Sequence, residues 1–489
     1  MVHLARILCR QPLVLLLASF VALGLGAPPL AQADAGRLDP SFNTDGRVVV
    51  AFSQGPPTAD IAGDLVVQPD GKIVAVGYTN DASGNADMAI VRLMPDGSHD
   101  PGFGGGGLQT VRLDLVAGGF DFATSVDLQS DGRIVVGGYA AVGGPGNNHD
   151  FVAIRLNTDG SRDTTFGTQG IARVAFDLAD TFFDSVERVL VQSDDKIVLA
   201  GTIRAAVNSS DFGVARLLAN GALDLTFDGD GRQVVSFDLG GDLDDDLWDA
   251  TLAADDKIVL VGKATFGGTD WDWALARLLP DGALDATFGG GGKLTRPIDL
   301  TPGGQDIALG VDIDSQGRIV VAGSAAVPLG GSRDFVVLRF TNSGVLDSDF
   351  AAGRALIDIS NGSDTVRGLV VGADDGVWVI GDTVAPSALP TNLDFVVVKL
   401  RANGSVDLCF GARGRAVVPF DLGGTLRDRA ARVVLDAAQR PIGLGSASWS
   451  ASDLDFAVFR LTAETPGGDC LFGDGFDSGN LSSWSAAVP

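Results

Sequence analysis

Glutamate is nearly absent from this chain. Of its 62 acidic residues only Glu187 and Glu464 are glutamates, and the rest are aspartates. Glutamate favours helices and aspartate favours turns, so the skew argues for an all-β chain with many loops. Histidine and cysteine are also scarce, at three each. They form no spaced Cys/His cluster, which excludes a zinc centre and leaves little material for histidine catalysis. No GxSxG elbow occurs, so nothing marks a serine nucleophile. Basic residues number only 35, giving a net charge of −27. Such a surface repels phosphate backbones, excludes nucleic acid as a partner and favours cations or basic surfaces. Beyond the N-terminal leader, no apolar run is long enough to span a membrane.

What is present is ample material for a packed interior. Apolar residues make up 45% of the 489 positions, and 67 glycines with 20 prolines imply frequent turns. The length exceeds what one hydrophobic core usually organises, unless an internal repeat extends a single fold. Residues 1–33 read as a signal peptide: Arg6 and Arg10 precede "PLVLLLASFVALGLG", and "AQA" precedes Asp34, with cleavage expected after Ala33. The mature chain then holds 33 basic against 62 acidic residues and is expected outside the cytoplasm, extracellular or periplasmic. Cys409 and Cys470 remain in that oxidising setting, and a disulfide between them is left open.

Three signatures recur in fixed order. "DFVAIRL" at Asp150 is answered at Asp87, Asp211, Asp272, Asp334, Asp394 and Asp455, at steps of 60 to 63 residues. "RDTTFG" at Arg162 has counterparts from "LDPSF" at Leu38 to "VDLCFG" at Val406, and "DGRIVVGG" at Asp131 recurs likewise. Within a unit the apolar pattern has period two. In the first unit it predicts strands near Arg47–Phe52, Gly63–Gln68, Lys72–Tyr78 and Asp87–Leu93. Four antiparallel strands repeated seven times predict a seven-bladed β-propeller over residues 34–472, with a tail at 473–489. Pro441, in a third-strand position, predicts an edge-like last blade. "CLFG" lies where an eighth copy would start, so the two termini are expected to meet at one seam, with Phe42 near Phe472.

These units resemble the delta-60 repeat of bacterial proteins, a domain of unknown function with a predicted β-propeller fold. The resemblance covers roughly Leu38 to Leu461 and implies the fold and an exported bacterial context. It carries no catalytic residues.

The charged signature residues invite a chemical reading, but seven equal copies suit a joint better than an active site. Arg92 and Asp100, Arg155 and Asp163, Arg216 and Asp224, Arg277 and Asp285, and Arg339 and Asp347 are each eight apart and predict one ion pair per blade. The recurring phenylalanines are expected to fill spaces between blades. "FDGDGR" at Phe227 and "NTDGR" at Asn43 have a trace of calcium-loop character without the full spacing, so no cofactor is expected and Ca²⁺ alone is left open.

Strand direction separates two faces. Loops joining the first to the second and the third to the fourth strand of a unit emerge on one face and vary freely; the other loops are near-identical in every copy. A protein or glycan ligand is therefore expected on the variable face. Unit four places Asp242, Asp244, Asp245, Asp246 and Trp248 in one variable loop and Trp271 and Trp273 beside the other, acids next to indoles that suit a cation or a sugar. The expected role is a monomeric, secreted binding or structural module rather than an enzyme. A polysaccharide hydrolase or lyase using Asp carboxylates and a calcium-stabilised surface protein are the alternatives.

Overall fold

The computed structural model describes residues 35–463, apart from loop positions 53–58, 81–83, 144–147, 177, 179–182, 207–208, 238, 240–242, 267–269, 329–331, 361, 385–391, 423–426 and 451–452. The leader, Cys470, Phe472 and the C-terminal tail lie outside the described residues. Apart from one short 3₁₀ turn at Ala351–Gly353, every regular element is a strand.

The chain begins with β1 (Arg47–Val50). One antiparallel sheet follows from β2 (Asp60–Val67), β3 (Ile73–Asn80), β4 (Ala86–Leu93) and β5 (Leu108–Val111). The next contains β6 (Asp121–Leu128), β7 (Ile134–Ala141), β8 (His149–Leu156) and β9 (Ile171–Val174). Then come β10 (Ser185–Val191), β11 (Ile197–Ala206), β12 (Ser209–Leu217) and β13 (Arg232–Val235). This group touches β14 (Leu243–Leu252) through a short parallel bridge, and β15 (Ile258–Phe266), β16 (Asp270–Leu278) and β17 (Lys293–Arg296) complete that unit. Further sheets comprise β18 (Ile307–Ile313), β19 (Ile319–Ala326), β20 (Arg333–Phe340) and β21 (Ala355–Ile357), and β22 (Thr365–Val371), β23 (Val377–Val384), β24 (Leu393–Leu400) and β25 (Arg415–Val418). The last contains β26 (Arg429–Leu435), β27 (Pro441–Ser450) and β28 (Asp453–Arg460), completed by β1.

The N-terminal segment therefore closes the molecule. Arg47 to Val50 pair with Phe459 to Phe456, and Leu38 bridges Leu461. The innermost strands β2, β6, β10, β14, β18, β22 and β26 pack side by side in a closed circuit. Apolar layers lie between neighbouring sheets rather than in one central core. Val74, Ile90 and Val136 share one layer, while Val48, Ile73 and Ile442 share the layer joining last sheet to first. Because a layer covers each face, β4 and β8 are buried along their whole length.

The structure corrects the phase of the repeat. The first strand of each sequence unit completes the preceding sheet, as β5 does beside β4. "NTDGSRDTTFGTQG" is thus a hairpin within one sheet, between β8 and β9, and not a link between sheets. The division into two faces survives, because the same loops still share an end of the strands. Pro441 is no edge residue either. It opens β27, between β26 and β28, at the first position of a strand, where a missing N–H is tolerated.

Every inner strand carries a β-bulge at the same place, for example between Ala62 and Asp64 and between Leu247 and Asp249. The bulge presses the inner backbone against the adjacent strand, and a glycine answers it there. A Cβ on Gly262 would lie 2.0 Å from the Asp246 carbonyl oxygen and 2.9 Å from Phe212 Cζ. Gly77, Gly138 and Gly323 face the same obstruction. Gly262→Ala is expected to lower stability by about 1–3 kcal/mol, whereas Gly105→Ala, whose Cβ would meet only the Leu108 carbonyl oxygen at an ordinary 3.7 Å, should be near neutral; chemical denaturation of both variants measures the difference.

Candidate functional site

The repeated charges form a joint. Arg92 meets Asp100, Arg155 meets Asp163, Arg216 meets Asp224, Arg277 meets Asp285 and Arg339 meets Asp347, each at 2.8 Å, and all but the partly exposed Asp347 are buried. Each guanidinium also lies over a phenylalanine, Arg155 at 4.8 Å from the Phe166 centroid, and donates to a carbonyl of the following hairpin, as Arg155 does to Ala219. Lys399 replaces arginine with Asp407 at 3.1 Å and lies over Trp378. At the seam Arg460 reaches back to Asp39 at 2.8 Å. Burial opposes ionisation of Asp285, but hydrogen bonds from Thr287 and the charges of Arg277 and Lys257 outweigh it and hold its carboxyl at about 2.

A second aspartate per unit, of which only Asp245 was singled out from the sequence and then for a different role, stands at the start of each inner strand on the variable face. Asp60, Asp121, Asp245 and Asp428 accept the backbone N–H of Phe52, Leu113, Phe237 and Phe420, each eight residues upstream. This second aspartate stands near the strand-opening aspartate of the preceding unit. Burial first, then neighbouring carboxylates, pushes Asp272, Asp334 and Asp394 up to about 6, and Asp121, Asp428 and Asp455 likewise against hydrogen bonds donated by the backbone of Leu113 and Phe420 and by Trp449. Arginine relieves two such junctions, where Arg112 meets Asp87 at 2.7 Å and Arg173 meets Asp150. Where Asp358 stands instead, Asp334, Asp358 and Asp364 bring carboxylate oxygens within 4.8 Å of one another, the one such group of three among the described residues. The two calcium-like turns use their acids differently. Asp45 and Asp230 accept backbone N–H bonds from Arg47 and Arg232, each two residues further on in its own turn.

Repetition breaks at the axis. The residues completing the inner-strand bulges include Asp64, Ser125, Arg188, Asp249, Gly310, Gly368 and Arg432. Four of them form a closed ion-pair network. Arg188 lies 2.5 Å from Asp64 and 3.0 Å from Asp249, and Arg432 lies 3.6 Å from Asp64 and 3.0 Å from Asp249. Ser125 and the Val311 N–H add hydrogen bonds to Asp64 and Asp249. Burial works against the Arg432 charge, but Asp249 and Asp64 outweigh it and raise its pKa. One residue nearer the variable face stand Glu187, half-buried, and Trp248, 41% exposed. Burial pushes Glu187 up to about 8; a Ser185 hydrogen bond opposes this, and the Asp246 and Asp249 charges add to it. Beside them Tyr78, Phe122, Tyr139, His149 and Phe183 form an aromatic cluster, with Tyr139 and Phe183 centroids 5.0 Å apart.

The family described as "Domain of unknown function (DUF5122) beta-propeller" matches residues 68–103, 129–166, 192–227, 253–288 and 315–350. The chain carries DUF5122 β-propeller repeats. Each DUF5122 match ends on the phenylalanine of a joint, such as Phe103 or Phe166, and the axial residues Asp64, Glu187, Arg188, Trp248, Asp249 and Arg432 fall outside all five. No curated protein matches the chain. Solved structures similar to it include a protein of unknown function from Dyadobacter fermentans, at 12% identity over 86% of this chain and 100% of that one, with a TM-score of 0.42. Others are a PL25 ulvan lyase, at 11% over 83% and 95% with a TM-score of 0.47, and YCF48 from Cyanidioschyzon merolae, at 10% over 85% and 98% with 0.41.

In this DUF5122 repeat protein the unit-four residues divide. Asp242 lies outside the described residues. Asp244 and Asp246 accept from Ser210, and Asp246 also pairs with Lys263 at 2.9 Å. The Lys263 ammonium sits 4.0 Å from the Trp271 centroid, so the cation anticipated between acid and indole is the chain's own. Asp245 is buried as the turn clamp of Phe237, and Trp273 is fully buried between sheets. Trp248 alone of these indoles is exposed. Cys409 takes part in a disulfide, while Cys470 lies outside the described residues. Glu187 was missed, although a glutamate in a chain of aspartates was the available signal.

The two aspartate sets set opposite pH trends. Groups at about 6 in the folded chain, against 3.8 as the ordinary value, bind protons more readily folded than unfolded, so they weaken the fold as pH rises through that interval. Joint aspartates such as Asp285 contribute stability above their unfolded pKa that is lost as pH falls towards about 2. Thermal melting should therefore show its highest midpoint at about pH 4, where the two trends cross, with lower values at about pH 7.5 and about pH 2.

Proposed function

We propose that this protein is an exported seven-bladed β-propeller, with a signal peptide over residues 1–33 and the propeller over residues 34–472, acting as a binding or structural module at the cell envelope or outside the cell. The observation that carries this reading is the contrast between its faces. One is built from the same Arg–Asp–Phe joint in unit after unit, and the other combines unrepeated loops with a partly exposed aromatic cluster and an asymmetric axial mouth. The net charge of −27 disfavours nucleic acid, and no helix among the described residues is long and apolar enough to cross a membrane. A monomer fits a circuit in which every sheet already has two neighbours.

Phe183, 42% exposed on the variable face, and Leu225, 64% exposed on the repeated face, separate the alternatives. Binding of the purified mature protein to glycan panels and envelope fractions should weaken in Phe183→Ser and persist in Leu225→Ser. Equal retention by both variants and wild type would overturn the assignment of the face.

Two further readings have their own support. Glu187, protonated at neutral pH near the salt-bridged Asp246, favours a polysaccharide hydrolase or lyase as the second reading. The Asp334, Asp358 and Asp364 group favours calcium stabilisation. If calcium occupies that group, chelator lowers the melting midpoint of wild type and leaves Asp358→Asn unchanged; identical midpoints with and without chelator remove the calcium reading.

A further inference from the structure

The axial mouth differs from the rest of the variable face in being built by backbone geometry, one bulge per inner strand, and not by loops. Three of the seven bulge residues are already committed. Thr124 donates to the Val186 carbonyl at 2.7 Å, Arg367 pairs with Asp382 at 2.8 Å, and Leu309 packs into an apolar layer. Gly63 and Ala431, on the adjacent strands β2 and β26, leave one side of the mouth without large side chains. On the adjacent strands β10 and β14 stand Glu187 and Trp248. Trp248 lies in the middle of β14, whose two faces are covered by neighbouring sheets, so its exposure opens onto the axis.

The chemistry of this mouth narrows its occupant. An exposed indole offers an apolar plane. Immediately behind it, the Asp64, Arg188, Asp249 and Arg432 network supplies donors and acceptors with cancelling charges. A polyanion would meet a chain of net charge −27, and a cation would meet Arg188 and Arg432 in the floor. A ring with one apolar face and many hydroxyl groups matches both surfaces, because it stacks without carrying charge. We propose that the axial mouth binds an uncharged oligosaccharide, with Trp248 as its stacking platform and Glu187 hydrogen-bonding its hydroxyls. This deepens the variable-face reading and rests on it.

The test uses the mature chain on arrays of neutral oligosaccharides (glucan, xylan, mannan and arabinan fragments) and of polyuronates and sulfated glycans. Wild type should retain neutral fragments, and Trp248→Ala should weaken that binding by about tenfold or more, as expected for truncation of an aromatic anchor. Trp248→Phe should restore part of it, and Glu187→Gln should retain more than Glu187→Ala. Trp449→Ala removes an exposed indole from β27, where it donates to Asp455, and should leave binding unchanged. Neutral binding that survives Trp248→Ala, or retention of acidic glycans alone, would overturn the inference. If the Phe183 variant still loses binding in that case, the variable-face reading stands without it; absence of any retained fragment or envelope component removes both.

Discussion

A sheet with two apolar faces cannot leave either one in water. The strands here are apolar on both sides, so each sheet needs a neighbour on its left and on its right, and a row of such sheets is satisfied only when it closes. The closed circuit of inner strands and the apolar layers that run from first sheet to last meet that requirement. Closure is then sealed by hydrogen bonds, with β1 completing the sheet of β26, β27 and β28. The joint adds an ion pair on top of this. Arg460 and Asp39, hundreds of residues apart, repeat the geometry that Arg155 and Asp163 make within one hairpin.

Buried charge does two different jobs in this framework. In the joints each arginine is satisfied by a carboxylate, a carbonyl and an aromatic face, so its desolvation is offset locally. At the axis the pairs run between strands that are distant in sequence, and both arginines are shared between the same two aspartates. Such a network holds opposite sides of the ring in one register. It also gives the axial mouth a polar, charge-balanced floor beside the exposed Trp248.

The repeats, their strands and the buried Arg–Asp pairs were legible because each occurs many times at a fixed step, and a physical joint that must be rebuilt in every unit imprints itself on the sequence. The phase of the sheet was not legible. Period-two patterning marks a strand but does not say whether "GIARVAF" starts a new sheet or finishes the old one; the hairpin pairing of Ile171 with Ile154 decides that. Trp273 and Trp271 looked alike in "TDWDW" and, two residues apart, share one side of β16, yet position along the strand separates them: Trp273 is buried in an apolar layer, and Trp271, nearer the strand's start, lies against Lys263.

The sequence alone determined the all-β class, the unit of about 61 residues and the joint between units, since all of these rest on local spacing and repetition. Only the tertiary structure decided which strand closes the ring and that Glu187, Trp248 and the four axial charges share one mouth. Those residues occur once each at a position that every unit possesses. Their significance comes from what the closed ring brings opposite them, which no spacing along the chain records.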